Sequence, residues 1–418
     1  MMTIMNKVLA KGFLFSWLFI CLCMTFLGLA LPVAPVSDFE IHWRQALDFS
    51  LYIKGGALIF PYRMLHALGA DASMTALISN LLAWCGFSFG VRPSDCRFES
   101  RVLTGLRVVF IIFYFCFGMW WVWESGTLEV MLIHLGVFVP AARLFYDFMP
   151  SHTDWRYWAL VVAGGAALSM RMQSVLVFLV GSTFVCLWLF CRDRSLLNLS
   201  FLKRHRLFVF ILISSCFAIL LEVGLRQVSQ EEESIRVQSR MVLYSGLLHE
   251  QALLRCGAWS SLAAKEAKSE VGKPLWGVVW AHLQEKSPKT VLKTVLCKYR
   301  RFFRFHDNNV NLWTLTGARR DQNLDMEPFS KDKLKQFDTV VNSILSWFFR
   351  IFFVAMLVYA FRLGMTHPFT ALYWGINLGF LVVFGVFELN PRYIIVTVGY
   401  LMLMFGYLLK TKPIFEHA

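Results

Sequence analysis

Residues 37–44, S-D-F-E-I-H-W-R, set two carboxylates, Asp38 and Glu40, just beyond the first long apolar run, with His42 and Arg44 behind them. One such carboxylate can take the proton of an attacking hydroxyl while the other orients that hydroxyl. Cations elsewhere in the chain could hold a departing phosphate, whose negative charge grows as it leaves. The candidates are Arg392 and Tyr393 in E-L-N-P-R-Y, Arg350 within a later apolar run, and Lys298 and Arg301 in a basic amphipathic stretch. Glu124 and Glu388 are candidates for a further acid. The chemistry these groups would share is transfer from a lipid-linked phosphate to a hydroxyl, at a surface a lipid tail can reach sideways.

Each group has a structural reading beside the chemical one. S-D-F-E suits a helix start, where Asp38 would cap or face the free N–H groups. Glu40 and Glu124 fit solvated charges, and Glu388 and Arg392, four residues apart, can pair with each other. Arg350 can snorkel toward a headgroup, although charge inside an apolar run usually marks function. His42, His249 and His306 have no second ligand at metal spacing and read as structural, so no metal ligand is assigned.

Composition sets the environment. Of the 418 residues, 57% are hydrophobic and 16% charged, far from the roughly one-quarter charged residues of soluble domains. The chain reads as an all-α polytopic membrane protein. Its net charge of +14 collects in short loops between apolar runs, as in cytoplasmic loops. Those loops lack interleaved aromatic platforms, so nucleic acid is not expected as a partner. Most of the ten cysteines fall in apolar runs and no C-x-x-C occurs, which argues against a zinc or redox centre. Cys256 and Cys297 fall in the one long polar segment, where a disulfide persists if that segment faces an oxidising compartment. Spacing alone leaves open whether they meet.

The apolar runs define about ten spans. Lys7 and Lys11 precede residues 13–31, which resemble a signal peptide but read better as a retained anchor with Pro32 and Pro35 behind it. Residues 39–71 are too polar to span. Their aromatics Trp43, Phe49, Tyr52, Phe60 and Tyr62 fit one or two helices lying at a headgroup interface. Further spans are expected at 72–91, 103–123, 130–145, 157–170, 173–190, 208–224, 344–361, 368–387 and 394–409. Basic residues at 92–101, 143–156 and 192–206 put those loops inside, with both termini cytoplasmic. The outer face then receives the first loop (32–71), the long polar segment and the E-L-N-P-R-Y turn.

Three modules follow: 1–224, a membrane module carrying the catalytic first outer loop; 225–340, a larger outer (periplasmic) segment; and 341–418, a C-terminal membrane module. Within the outer segment, residues 288–303 place Val291, Leu292, Val295, Leu296, Tyr299 and Phe303 at helical spacing among lysines and arginines, which suits an anionic membrane surface. No G-x-S-x-G, P-loop, H-E-x-x-H or glycine-rich dinucleotide fingerprint is present, so hydrolase, ATPase and dehydrogenase readings lose support.

In this arrangement the chain resembles the GT-C superfamily of polytopic glycosyltransferases, above all protein O-mannosyltransferases and bacterial lipid A aminoarabinose transferases. The likeness rests on loose motifs in order: S-D-F-E with Asp38 after the first span, a span through Leu77, Asn80 and Leu82, A-G-G-A-A-L-S-M-R ending at Arg171, L-Y-S-G-L-L-H-E, S-P-K-T-V-L-K-T-V-L-C-K-Y, and Glu388 with Arg392 and Tyr393. The resemblance implies an inverting transferase with a polyprenyl-phosphate sugar donor, the first-loop acid as base and the late Arg at the donor phosphate. The acceptor would be a glycan, lipid or protein of the cell envelope, and the enzyme would sit in the bacterial inner membrane with its active site on the outer face. Phe39 separates the two acids that some relatives carry side by side, so either Asp38 or Glu40 can be the base. Metal dependence varies across the superfamily, so a divalent metal stays open and no cofactor is assigned. The rival readings are an O-antigen polymerase or ligase and a secondary transporter, the latter expected to show repeats and broken helices.

Overall fold

The computed structural model describes residues 2–30, 37–92, 101–124, 129–148, 153–193, 206–248, 261–302, 331–363, 368–387, 399–400 and 402–403. Among them there is no strand. The helices are α1 (Met2–Ala30), α2 (Ser37–Leu47), α3 (Ile59–Ala67), α4 (Ala72–Val91), α5 (Arg101–Glu124), α6 (Glu129–Phe148), α7 (Trp155–Ser169) and α8 (Met172–Asp193). They continue with α9 (Arg206–Val228), α10 (Glu232–Leu243), α11 (Ser261–Ser269), α12 (Leu275–Gln284), α13 (Pro288–Phe302), α14 (Lys331–Leu363) and α15 (Pro368–Val386).

Short polar residues start several of them. Asp71 accepts the Met74 N–H at 2.7 Å before α4, and Asp154 accepts the Arg156 N–H at 2.9 Å before α7, each satisfying a donor the helix cannot use itself. By length and composition, Val8–Ala30, Ala72–Val91 and Val209–Val228 can each cross a membrane. Helices α7 and α8 are apolar enough together, but a break between them bends the path by 113°. Shorter apolar stretches lie at Arg107–Val122, Ser343–Val358 and Tyr373–Val386. Large apolar side chains such as Phe15, Leu22 and Phe26 stand exposed on α1. Such surfaces belong to a membrane-associated protein. The module boundaries read at 224 and 340 fall inside α9 and α14, which run through them without interruption.

In lipid, hydrophobic burial does little to hold one apolar helix against another, so close backbone packing must do it. The helices meet through small residues accordingly. A Cβ on Gly86 of α4 would come 2.1 Å from the Gly136 carbonyl oxygen of α6, and Gly86 and Gly90 are one turn apart. A Cβ on Gly181 of α8 would come 1.7 Å from the Gly375 oxygen of α15, and one on Gly379 would come 1.9 Å from the Val177 oxygen. Gly164 and Gly165 of α7 face Phe210, Ser214 and Phe217 of α9 in the same way.

These contacts also fix directions. Phe13 stacks on Tyr114 and Ile20 faces Gly118, so α1 and α5 run the same way. Phe145 contacts both Tyr157 and Phe210 at the starts of α7 and α9, and Gly56 and Tyr52 link Ser169 to Glu222 near their ends, so α7 and α9 are parallel. Helices α8 and α15 are antiparallel, with Gly181 opposite Gly375 and Val177 opposite Gly379. That register carries the C-terminal end of α15 to the start of α8. One end of the bundle therefore gathers the α7–α8 break, the C-terminal ends of α9 and α15, and the segment from α2 to α3 that folds against them. A second, smaller core of Tyr244, Ala263, Ala267 and Val278 holds α10 to α12 together.

Candidate functional site

The segment between α1 and α4 does not rest wholly on a surface. Phe39, Ala46, Tyr52, Leu58, Ile59 and Tyr62 are buried in the main core, and only Phe60 of the aromatics expected at a headgroup interface is clearly exposed. The reason is polar pairing beneath the segment. The Tyr52 hydroxyl donates to Glu222 Oε2 of α9 at 2.5 Å and accepts the Gly56 N–H at 3.0 Å. Glu222 in turn accepts from Arg226 Nε at 2.8 Å. Burial, followed by the neighbouring carboxylate, pushes the Tyr52 phenol well above its usual range, so it stays a donor. A buried carboxylate without such partners would be costly, by at least several kcal/mol.

Gln45 shapes the turn that delivers Tyr52. Its side-chain oxygen accepts the N–H groups of Ile53 and Lys54 at 3.0 and 3.1 Å, and its amide donates to the Ile41 carbonyl at 3.0 Å. Gly55 and Gly56 follow with φ of 102° and 51°, in the left-handed region that a side chain disfavours. Both are also crowded: a Cβ on Gly55 would meet buried His42 at 2.6 Å, and one on Gly56 would meet the Ser169 oxygen at 2.3 Å. Buried His42 packs against this turn. Ser169 Oγ, in the last turn of α7, accepts the Ala57 N–H at 3.0 Å and donates to the Ala166 carbonyl at 2.7 Å. Farther on, the Gln230 N–H donates to the Ser50 carbonyl at 2.8 Å and the Ser229 hydroxyl to the Tyr52 carbonyl at 2.5 Å. The segment is clamped to α7 on one side and to α9 on the other.

A second buried polar group lies beside the break. His134 Nδ1 is 2.7 Å from the Ala167 carbonyl oxygen, and its Nε2 is 2.5 Å from the Tyr400 hydroxyl. A carbonyl only accepts, so Nδ1 carries the hydrogen, and in the neutral ring Nε2 accepts from Tyr400. This ties α6, the last turns of α7 and the residues around Tyr400 together.

The residues singled out in the sequence fall as follows. Asp38 is in the first turn of α2, where the free N–H groups favour negative charge by about 0.3–1 kcal/mol, and its carboxyl is outside the described residues. Glu40 is exposed and lies 3.6 Å from Arg44 one turn on. Arg350, on α14, is half-buried with its guanidinium 5.4 Å from the centre of the Trp347 ring. Lys298 is buried, and its ammonium donates to the Gly385 and Phe387 carbonyls at 3.1 and 2.9 Å. Those are carbonyls that the end of α15 leaves without intrahelical partners, so Lys298 acts as a helix cap. The side chains of Glu124, at the end of α5, and Arg301, on α13, are outside the described residues, as are Glu388, Arg392 and Tyr393 altogether. Cys297 is disulfide-bonded, while Cys21, Cys23, Cys85, Cys116, Cys186 and Cys216 are free; Cys256 is outside the described residues. Among the described residues no three His, Cys, Asp or Glu side chains converge as a metal site.

The geometry therefore brings α2, with Asp38 in its first turn, to the same end of the bundle as Lys298. It adds three groups that sequence reasoning passed over: Glu222, Tyr52 in its buried role, and His134. A signal for Glu222 existed, since an acid near the end of an apolar run is costly unless paired. No protein-family model, curated protein or solved structure matches the chain.

Proposed function

We propose that the chain is a membrane glycosyltransferase of the GT-C kind, with about ten spans, that moves a monosaccharide from a polyprenyl-phosphate donor to an acceptor hydroxyl at the outer face of the inner membrane. The observation that carries this reading is the clamped α2–α3 segment. Tyr52–Glu222 and Ala57–Ser169 fix it to the bundle end, and in this reading that end, with the start of α2, lies at a membrane boundary. In this reading Asp38 takes the acceptor proton, with Glu40 orienting the acceptor, and Arg392 and Tyr393 receive the donor phosphate. Arg350 and Arg301 are further candidates there, and Glu124 or Glu388 would be a second acid. The C–O bond from the anomeric carbon to phosphate breaks as the acceptor oxygen attacks from the opposite side, which inverts the anomeric centre. Both termini would be cytoplasmic.

A secondary transporter is the second reading, because the 113° break between α7 and α8 is the kind of discontinuous helix from which transporters build sites. Washed membranes carrying the protein, given a purified polyprenyl-phosphate sugar and an acceptor, separate the two. Release of polyprenyl phosphate with sugar on the acceptor supports the transferase. Uptake of solute into sealed vesicles without transfer supports the transporter.

A further inference from the structure

We infer that α12 and α13 form a foot on an anionic lipid surface, with Trp276, Trp280, Leu292 and Leu296 entering the headgroup and upper acyl region. Lys289, Lys293 and Arg300 would meet the lipid phosphates. The inference depends on the apolar helices lying in a membrane, and not on the transfer reaction.

Helix α12 buries Val278 in the small core and packs Val279 and Leu283 against it. On its other side Trp276 is 80% exposed and Trp280, one turn on, is 64% exposed. Two adjacent indoles facing water are unfavourable, whereas an indole suits a headgroup layer, where its ring meets acyl chains and its N–H meets polar groups.

Helix α13 divides the apolar face read in its sequence. Val295 and Tyr299 turn to Gly385 of α15, and the Tyr299 hydroxyl donates to the Leu381 carbonyl. Thr294 and Lys298 are buried on the same side. Leu292 and Leu296 instead stand 58% and 57% exposed. At about 100° per residue, the two leucines lie between the packed side and the exposed Lys289, Lys293 and Arg300. The order around the helix is packed, apolar, cationic, and neither helix contains an Asp or Glu. Apolar groups beside a row of cations match an anionic bilayer. A second copy is disfavoured, since a two-fold contact would oppose like charges. Depth also agrees with the ten-span reading: Lys298 ties α13 to the last turn of α15, whose end would lie at headgroup level if α15 crosses the bilayer.

The test uses the full chain in bilayers of phosphatidylcholine with or without phosphatidylglycerol, containing lipids brominated near the glycerol end of the acyl chains. The emission of Trp276 and Trp280 is obtained by difference from the Trp276→Phe/Trp280→Phe variant. Brominated lipid should quench this difference emission and aqueous iodide should not. Quenching should be at least about two-fold stronger with phosphatidylglycerol, and Lys289→Gln/Lys293→Gln/Arg300→Gln should remove that dependence. A spin label at Leu292→Cys should be reached by oxygen rather than by a water-soluble nickel chelate. Quenching by iodide alone, with the chain still resistant to alkaline extraction from membranes, would overturn the foot and leave the membrane placement standing. Concentration-dependent cross-linking through Leu292→Cys without lipid quenching would overturn it in favour of a protein partner.

Discussion

The Tyr52 hydroxyl and the Glu222 carboxylate, 170 residues apart in the chain, meet at 2.5 Å beneath the segment that carries Asp38. Tyr52→Phe keeps the ring and removes the donor, leaving the carboxylate to Arg226 alone. A hydrogen bond to a charged group contributes roughly 1.5–3 kcal/mol, and a loss of that size is expected in detergent-solubilised protein. Glu222→Gln should cost less in the Tyr52→Phe background than in the wild type. Additive losses in a double-mutant cycle, read from thermal unfolding, would show that the pair does not act as a unit.

If the chain is the proposed transferase, Asp38 and Glu40 should differ in their effect on the transfer rate. Asp38→Asn removes a proton acceptor at the start of α2 and should slow transfer about 100- to 10,000-fold with donor binding preserved. Glu40 is exposed beside Arg44, so Glu40→Gln should cost only a few fold. The opposite ranking would exchange their roles, and an effect of less than a few fold for both would remove this helix from the site.

Gly181 tests the packing of the bundle. Gly181→Leu places atoms where the Gly375 backbone stands and should prevent a monodisperse, folded protein in detergent, as size-exclusion chromatography would read. Gly12→Ala, where a Cβ meets nothing within 4 Å, should leave the profile unchanged and gain helix propensity. Equal behaviour of the two variants would contradict the close α8–α15 contact.

Glu270 makes the small core pH-dependent. Burial raises its pKa, but hydrogen bonds from Lys273, Tyr244 and His282 outweigh that and bring it from 4.5 down to about 2. A depressed carboxylate stabilises the folded form above its unfolded pKa and loses that contribution as pH falls. Protection of α10 to α12 against proteolysis should therefore weaken between about pH 4.5 and pH 2, and Glu270→Gln should flatten the dependence. An unchanged pH profile in the variant would assign the acid sensitivity elsewhere.

How far the chain is legible depends on what each residue needs as a partner. Hydropathy alone marks α1, α4 and α9, because bilayer crossing demands length and apolarity within one segment. S-D-F-E reads as a helix start and P-K-T-V-L-K as an amphipathic helix for equally local reasons, and α2 and α13 are there. Tyr52 is different. An aromatic beside a span has the same sequence signature whether it meets headgroups or a buried acid, and its acid lies in another helix. Lys298 is alike: a lysine in a basic stretch invites a phosphate, and the carbonyls it caps, nearly ninety residues away, leave no local sign in the sequence. The α7–α8 boundary is visible at Met170 and Arg171, while its angle is set by packing against α6, α9 and the clamped segment.

The Gly181–Gly375 contact has a consequence for how the protein is made. About 200 residues separate the two glycines, a length that synthesis at roughly 5–20 residues per second takes about 10–40 s to add. For that interval the small-residue face of α8 has no native partner, and any other helix presenting a glycine groove can occupy it. Biogenesis therefore includes a waiting period that only α15 ends. A chain truncated before Pro368 would stop in that state, open to quality-control proteases or to the α15 of a neighbouring full-length chain.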